Sequence, residues 1–181
     1  QLIPKSGFGA GSQVLQEKQI RVSDLGRSAA VDEGNGQLLF RLVNFLKPSI
    51  LLEMGTCLGL SAVYQAAAAQ DARFLTIEGS PAIAALANGH LQGLKFKNIE
   101  TYQGSFDQVL PSLLPSLPQL DYVYLDGDHS HAPTVRYFEA CLPHLSEQSA
   151  FVVADIYWSS EMMTAWQDLQ AHPKVTLSVD F

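Results

Sequence analysis

Short apolar runs alternate with segments of helical periodicity along most of the chain. Ile50-Leu51-Leu52 is an apolar run without polar alternation, which is typical of a strand buried on both faces. Similar runs recur downstream, separated by segments with apolar residues at helical spacing. The predicted strands are 50–52, 74–78, 99–103, 122–125, 150–154 and 175–179, and the predicted helices are 36–46, 62–69, 82–93, 106–114, 134–145 and 160–170.

This alternation predicts the fold class. Strands that alternate with helices at this spacing need crossover connections, which favour a mostly parallel sheet with helices on both faces. We therefore predict a doubly wound, Rossmann-like α/β sheet of six or seven strands over residues 36–181, with residues 1–35 packing on it as an N-terminal segment. Ligands of such sheets bind beyond the carboxyl ends of the strands.

Composition and charge narrow the function classes. The 181 residues, 47% of them hydrophobic, suit one globular domain. The net charge is −7, and Arg136 is the only Lys or Arg between Asn98 and Pro173, which argues against a nucleic-acid partner. The chain has neither a membrane-length apolar run nor a signal-peptide pattern, so we expect a soluble, cytoplasmic protein. Cys57 and Cys141 lack paired spacing and are interpreted as small buried or half-buried thiols.

A glycine turn follows the first strand of the predicted sheet. Gly55 and Gly59 can adopt backbone angles denied to other residues, and without a Cβ they let a ligand approach the main chain closely. Ser61 and the free N–H groups of the next helix would face that ligand. Taken alone, the motif is also compatible with a tight strand-to-helix turn that binds nothing.

Carboxylates collect at the ends of four predicted strands. Such groups repel one another unless they serve a cation, a metal or ligand hydroxyls. The second of them lies about twenty residues beyond the glycine turn, where an acid can accept hydrogen bonds from two ribose hydroxyls. Neither a Gly-x-Gly-x-x-Gly nor a Gly-Lys-Ser/Thr loop is present, which disfavours a dinucleotide cofactor. The acids are Glu53, Glu78, Asp126 with Asp128, and Asp155.

Three motifs, in this order, resemble the class I S-adenosylmethionine-dependent methyltransferases. They are Glu53-Met-Gly55-Thr-Cys-Leu-Gly59-Leu-Ser61-Ala62, Leu75-Thr-Ile-Glu78 and Tyr122-Val-Tyr-Leu-Asp126. The glycine turn is most similar to that of the catechol and caffeoyl-coenzyme A O-methyltransferase group. Residues 155–166 are instead similar to a segment of related bacterial methyltransferase-like proteins.

The resemblance implies S-adenosylmethionine as cofactor and assigns residues to its parts. Glu78 would hold the ribose, and Asp126 would lie beside the sulfonium. The residues implied around the methionine moiety are Glu53, Gly55, Thr56, Gly59 and Ser61, and those bordering the adenine are Gly104, Ser105 and Phe106.

The resemblance also raises the question of a metal. In the catechol group an acid after the fourth strand and an Asp-Asn pair after the fifth hold magnesium, and these map onto Asp126 and Asp155-Ile156. Ile156 cannot be a ligand. Asp126, Asp128 and Asp155 could still supply oxygens to Mg²⁺ or another divalent cation, with water completing the shell. In the alternative interpretation, Asp155 caps the following helix.

Asp128 and His129 are the candidate catalytic residues. A phenol has a pKa near 10, so its methylation at neutral pH needs a base or a metal to help remove the proton. His129 could be that base, or it could only hydrogen-bond the cofactor or the loop. Tyr157 and Trp158 follow a strand end and could wall a pocket for a flat acceptor.

These observations predict methyl transfer from S-adenosylmethionine to a small-molecule acceptor, at a hydroxyl. Two alternatives stay open, a binding or interaction protein that has kept the fold without turnover and a nucleotide-dependent oxidoreductase. In this class a final antiparallel strand lies beside the sixth, and no residues after Phe181 supply it. Either the chain is incomplete, or an open sheet edge invites pairing with another chain, which makes a homodimer a hypothesis.

Overall fold

Five parallel strands and the helices between them dominate the computed structural model, which describes residues 1–4 and 19–181. A short antiparallel pair, β1 (Leu2–Pro4) with β2 (Gln19–Arg21), precedes the sheet. The sheet strands are β3 (Ile50–Met54), β4 (Arg73–Glu78), β5 (Ile99–Gln103), β6 (Leu120–Leu125) and β7 (Leu145–Val153). The helices are α1 (Val22–Ser28), α2 (Glu33–Leu46), α3 (Leu60–Ala68), α4 (Pro81–Gly93), α5 (Phe106–Leu113), α6 (His131–Cys141) and α7 (Ser160–Ala171), with 3-10 turns at Leu114–Ser116 and Leu142–His144.

The strand order creates a crevice at the middle of the sheet. The order is β5-β4-β3-β6-β7, so the chain runs outward from β3 in one direction and then returns to place β6 on the other side of β3. The carboxyl ends of β3 and β6 therefore flank the point where strand order reverses, which is where doubly wound sheets bind ligands. This topology confirms the predicted fold class.

The predicted strand count was too high. Residues 175–179 form no strand, although their apolar and polar residues alternate. Ser178 accepts a hydrogen bond from Gln170 Nε2 at 3.3 Å, and Asp180 accepts one from the Tyr157 hydroxyl. Among the described residues no strand lies beyond β7 to offer backbone partners, and a period-two pattern cannot form a strand without them.

Apolar side chains cover both faces of the sheet. Leu52 and Val123 belong to the core beneath α5 and α6, whereas the neighbouring Leu51 and Tyr122 pack under α2 and α3. This explains why the strand sequences are continuous apolar runs. Cys141 is buried and Cys57 is half-buried, and both are free thiols as predicted.

The N-terminal residues pack beside the glycine turn. Ile3, Ile20 and Leu25 form a third apolar cluster with Leu58, which lies in the turn after β3. Helix α2 begins at Glu33, three residues before the predicted start, because Asp32 caps it by accepting from Asn35 N at 3.0 Å. None of the described helices is both long and apolar enough to cross a membrane.

Candidate functional site

The turn after β3 is held close to the end of β6. Gly55 has φ 112°, and a Cβ at this position would lie 1.9 Å from the backbone oxygen of Asp126. Its N–H and that of Thr56 both donate to the carbonyl of Ile77, at 3.0 and 3.2 Å. Gly59, at φ 85°, is the N-cap of α3. Only glycine allows this close approach, so the turn and the helix N-terminus line the crevice with main-chain groups.

Glu53 is completely buried beneath the turn. Its Oε1 accepts from Gln65 Nε2 at 2.9 Å, and its Oε2 accepts from the Thr76 hydroxyl at 2.5 Å. The Thr76 hydroxyl also lies 2.6 Å from that of Thr56. Burial raises the pKa of Glu53 to about 8, although the hydrogen bonds from Thr76 and its neighbours favour the carboxylate. Direct cofactor contacts by the side chains of Glu53, Thr56 and the buried Ser61 stay a prediction.

Glu78 joins the turns that follow β3 and β4. Its Oε2 accepts from Cys57 N at 2.9 Å, and its Oε1 accepts from Ser80 N at 2.8 Å. Burial raises the pKa of this carboxyl group. Each carboxylate oxygen has a second lone pair, so Glu78 can still accept hydrogen bonds from a ligand. The ribose assignment stays a prediction that this geometry permits.

The segment after β5 lies beside the loop after β6. Gly104 N donates to the Glu78 carbonyl at 3.0 Å, and Ser105 caps α5 in a capping box with Gln108. A Cβ added at Gly127 would lie 3.1 Å from the Phe106 ring. The three residues predicted to border the adenine therefore extend from the end of β4 to the loop that carries Asp128 and His129.

Two acids and a histidine converge at the ends of β6 and β7. His129 Nε2 lies 3.4 Å from Asp155 Oδ2 and 3.7 Å from Asp126 Oδ1. The Tyr124 hydroxyl donates to Asp126 Oδ2 at 3.0 Å. Burial raises the pKa of Asp126, the charge of Asp155 raises it further, and His129 and Tyr124 oppose the shift. Two acids held this close favour a cation between or beside them.

Asp128 lies apart from this cluster. Its carboxylate accepts from the Ser130 hydroxyl at 3.1 Å, at the start of α6. Among the described residues, the side chains whose ligand atoms lie within 4.8 Å of one another are Asp126, His129 and Asp155. The structure therefore places His129, rather than Asp128, with the two predicted metal-binding acids, and a catalytic role of Asp128 stays a prediction.

The two aromatic residues after β7 face different neighbours. The Trp158 ring lies 6.3 Å from that of His129, centroid to centroid, and 62% of the residue is exposed. Tyr157 is 64% exposed and donates to Asp180. Both acceptor-binding roles stay predictions, with Trp158 the better placed.

The alternative role of Asp155 as a helix cap is wrong. Ser159 is the N-cap of α7, and its hydroxyl accepts from Met162 N at 3.2 Å. Asp155 instead has φ 55° and directs its carboxylate to within 3.4 Å of His129. Its carboxylate is therefore available to the candidate site.

Sequence reasoning missed three residues that support the site, namely Gln65, Thr76 and Tyr124. Each has a polar group inside an otherwise apolar strand or an alanine-rich helix. That was the available signal, because a buried polar group requires a partner. Here the partners are the strand-end acids Glu53 and Asp126.

A doubly wound sheet with a glycine turn at its switch point and acids at its strand ends defines a class of nucleoside-binding α/β proteins. A family model described as a methyltransferase domain matches residues 52–156. This range runs from β3 to the residue after Asp155. The chain belongs to this methyltransferase-domain family, and the resemblance found in the three motifs is confirmed.

Individual relatives agree with this assignment. Catechol O-methyltransferase from Bos taurus is 33% identical over 117 residues, which cover 61% of this chain and 43% of that protein. The O-methyltransferase TomG from Streptomyces achromogenes, solved in complex with SAM, has a TM-score of 0.69 and 26% identity and covers 84% of this chain and 69% of its own. An O-methyltransferase from Bacillus cereus, solved with SAH, has a TM-score of 0.72 over 90% of this chain and 84% of its own; at 19% identity, it supports the fold alone. The chain spans about half the length of the sequence relatives it matches.

Proposed function

We propose that this chain binds S-adenosylmethionine across the ends of β3 and β6 and transfers its methyl group to a hydroxyl of a small-molecule acceptor. The observation that carries the proposal is the close approach of the Gly55 backbone to that of Asp126, which leaves no room for a Cβ and places the glycine turn beside the acidic cluster. Family membership and the acid at the end of β4 support the same cofactor.

The proposed cofactor pose uses charges and main-chain donors already at the crevice. The N–H groups of the first residues of α3 would receive the methionine carboxylate, because a helix N-terminus favours an anion. Glu78 would accept from the ribose hydroxyls, and Phe106 would border the adenine. The sulfonium cation would lie near Asp126, whose carboxylate stabilises a positive charge.

In the proposed reaction the acceptor oxygen attacks the methyl carbon as the carbon–sulfur bond breaks. The bond electrons pass to sulfur, which leaves S-adenosylhomocysteine, and the hydroxyl proton leaves the acceptor. The protein's main contribution would be orientation, with Trp158 stacking on the acceptor beside His129. His129 would assist proton loss, either as a base or by helping to hold a cation.

The side chains at the ends of β6 and β7 fit a divalent cation. Two carboxylates and an imidazole present ligand atoms within 4.8 Å of one another, and these groups bind divalent metals in proteins. A cation held there would act as a Lewis acid that lowers the pKa of the acceptor hydroxyl.

Calorimetric titration with S-adenosylmethionine and S-adenosylhomocysteine, in magnesium and in chelator, tests the cofactor assignment. We expect saturable binding by the wild type and strong loss in Glu78→Ala, since each charge-assisted hydrogen bond is worth roughly 1.5–3 kcal/mol. Glu100→Ala is the matched control, because Glu100 pairs with the exposed Arg73. No binding in either buffer would overturn the proposal.

Turnover is measured separately, as S-adenosylhomocysteine formation with a panel of catechols and other hydroxylated aromatics. Cofactor binding without turnover of any acceptor would instead favour the non-catalytic alternative. A cytoplasmic location and a homodimer formed through the edge of β7, which has no further strand beside it among the described residues, also belong to the proposal. Sedimentation of the purified protein tests the dimer.

A further inference from the structure

His129 lies where a third metal ligand would lie, between the acids at the ends of β6 and β7. Its Nε2 is 3.4 Å from Asp155 Oδ2 and 3.7 Å from Asp126 Oδ1. Metal bonds of about 2.0–2.3 Å place ligand atoms on opposite sides of an ion up to roughly 4.6 Å apart. The two separations from His129 Nε2 lie below this limit, and they match ligand atoms that share a single cation.

We propose that His129 is a metal ligand and that the Asp126–His129–Asp155 set selects a divalent first-row transition metal over Mg²⁺. The inference rests on the proposed function, which places a cation at these residues. It adds the third ligand and the class of metal, and it removes His129 from the role of general base.

Hydrogen bonds at the strand ends position the two acids of this set. Asp126 follows β6, where its N–H donates to the Met54 carbonyl at 2.9 Å and Tyr124 holds its carboxylate. Asp155 follows β7 directly after Ala154, whose N–H donates to the Leu125 carbonyl at 2.9 Å. The two acids are thus attached to paired neighbouring strands, and little movement is needed to gather the set around an ion.

The third side chain of this set is a histidine. Ile156, beside Asp155, is apolar, and among the described residues the set whose ligand atoms lie within 4.8 Å of one another contains Asp126, His129 and Asp155 but not Asp128. The third side-chain donor of this set is therefore a nitrogen. Mg²⁺ prefers oxygen ligands, whereas imidazole suits the transition metals, so this set favours ions such as Co²⁺, Mn²⁺ and Zn²⁺.

The assignment changes the role of His129 in proton transfer. A ring nitrogen that binds a metal has no free lone pair with which to accept a proton. The acceptor's proton would then leave to solvent, and its loss would depend on the cation rather than on an imidazole base.

Metal titration of untagged, chelator-stripped protein tests the proposal without any turnover assay. Co²⁺ is followed by its visible absorption and Mn²⁺ by the resonance signal of the free ion. We expect one equivalent of Co²⁺ to bind and to remain mostly bound under about a hundredfold excess of Mg²⁺. His129→Ala should weaken Co²⁺ binding by at least roughly tenfold and change the cobalt spectrum.

His131→Ala is the matched control. His131 lies two positions further on and bonds Asp168 at 2.7 Å, outside the cluster, so its loss should leave Co²⁺ binding unchanged. Circular dichroism verifies that both variants are folded. The proposal is overturned if no metal binds, if Mg²⁺ displaces Co²⁺ at equal concentration, or if His129→Ala binds Co²⁺ like the wild type. S-adenosylhomocysteine binding in chelator separates these results from a failure of the proposed function.

Discussion

The Thr76 hydroxyl on β4 donates to the Glu53 carboxylate on β3 at 2.5 Å, and both side chains are completely buried. The two residues face each other in the parallel register of the strands. The same hydroxyl lies 2.6 Å from that of Thr56, so a buried polar chain connects the sheet interior to the glycine turn. The turn is therefore fixed from below by these hydrogen bonds as well as by its own backbone.

Thr76→Val removes this hydroxyl at almost constant volume. We expect the free energy of unfolding to fall by about 1–3 kcal/mol, because Glu53 and Thr56 lose a buried partner. S-adenosylhomocysteine affinity should fall as well, whereas Thr76→Ser should recover most of both. Thr101→Val is the control. Thr101 is the residue of β5 that pairs with Thr76, but its exposed hydroxyl donates to Asn88 and does not contact Glu53 or Thr56. Urea denaturation and calorimetry measure the effects, and equal losses in Thr76→Val and Thr101→Val would contradict the prediction.

The stability difference between wild type and Glu53→Gln should depend on pH. Burial raises the pKa of Glu53 to about 8, whereas a glutamate in the unfolded chain has a pKa of about 4.3. The folded state binds the Glu53 proton more tightly than the unfolded state does. The stability contributed by protonated Glu53 is therefore complete below the unfolded pKa and is lost as pH rises towards 8. The wild type should therefore lose ~2 kcal/mol or more relative to the variant between about pH 4.3 and 8.

Urea denaturation of both proteins across this pH range measures the effect. Glu78 and Asp126 are present in both proteins, so their own titration cancels to first order in the comparison. A difference that is constant with pH would show that Glu53 does not hold its proton in the folded state.

Gly55→Ala should be severely destabilising. The new Cβ would lie 1.9 Å from the Asp126 carbonyl, and the residue would have to keep φ 112°. We expect a loss of about 2 kcal/mol or more and loss of cofactor binding. Gly89→Ala on α4 is the control, because its Cβ would meet open space. Since alanine is the better helix former, this variant should have a free energy of unfolding roughly 0.5–1 kcal/mol higher than that of the wild type. Thermal melts compare the two, and a Gly55→Ala protein as stable as the wild type would contradict this account.

Trp158→Ala tests the acceptor pocket under the proposed function. The ring is largely exposed, so its removal should leave the melting temperature and S-adenosylhomocysteine affinity unchanged. The KM for an aromatic acceptor should rise by roughly fivefold, since stacking is worth about 1 kcal/mol. Phe45 is an exposed aromatic residue on α2, and Phe45→Ala should change neither the acceptor KM nor the S-adenosylhomocysteine affinity. Steady-state kinetics would reject the role of Trp158 if the acceptor KM stayed the same.

The sequence predicted the sheet well because its strands are buried on both faces. Ile50-Leu51-Leu52 has the unbroken apolar run expected of a strand buried on both faces, and acids that follow parallel strands share one edge of the sheet. The sequence did not predict which way each acidic side chain would point. The Glu53 side chain is bonded to Thr76 inside the sheet because the strand register places the two residues opposite each other, and register depends on long-range pairing. Residues 175–179 show the converse, because local alternation cannot reveal that no partner strand lies among the described residues.

Leu58 has a consequence for local unfolding. It lies in the glycine turn, but its side chain is buried against Ile3, Ile20 and Leu25. The turn and the N-terminal strand pair should therefore open together, as one cooperative unit with its own free energy. The exchange rate of the Cys57 amide, which bonds Glu78, would then follow the detachment of the first strand. The N-terminal strand pair would thus set the rate at which the turn beside the crevice opens.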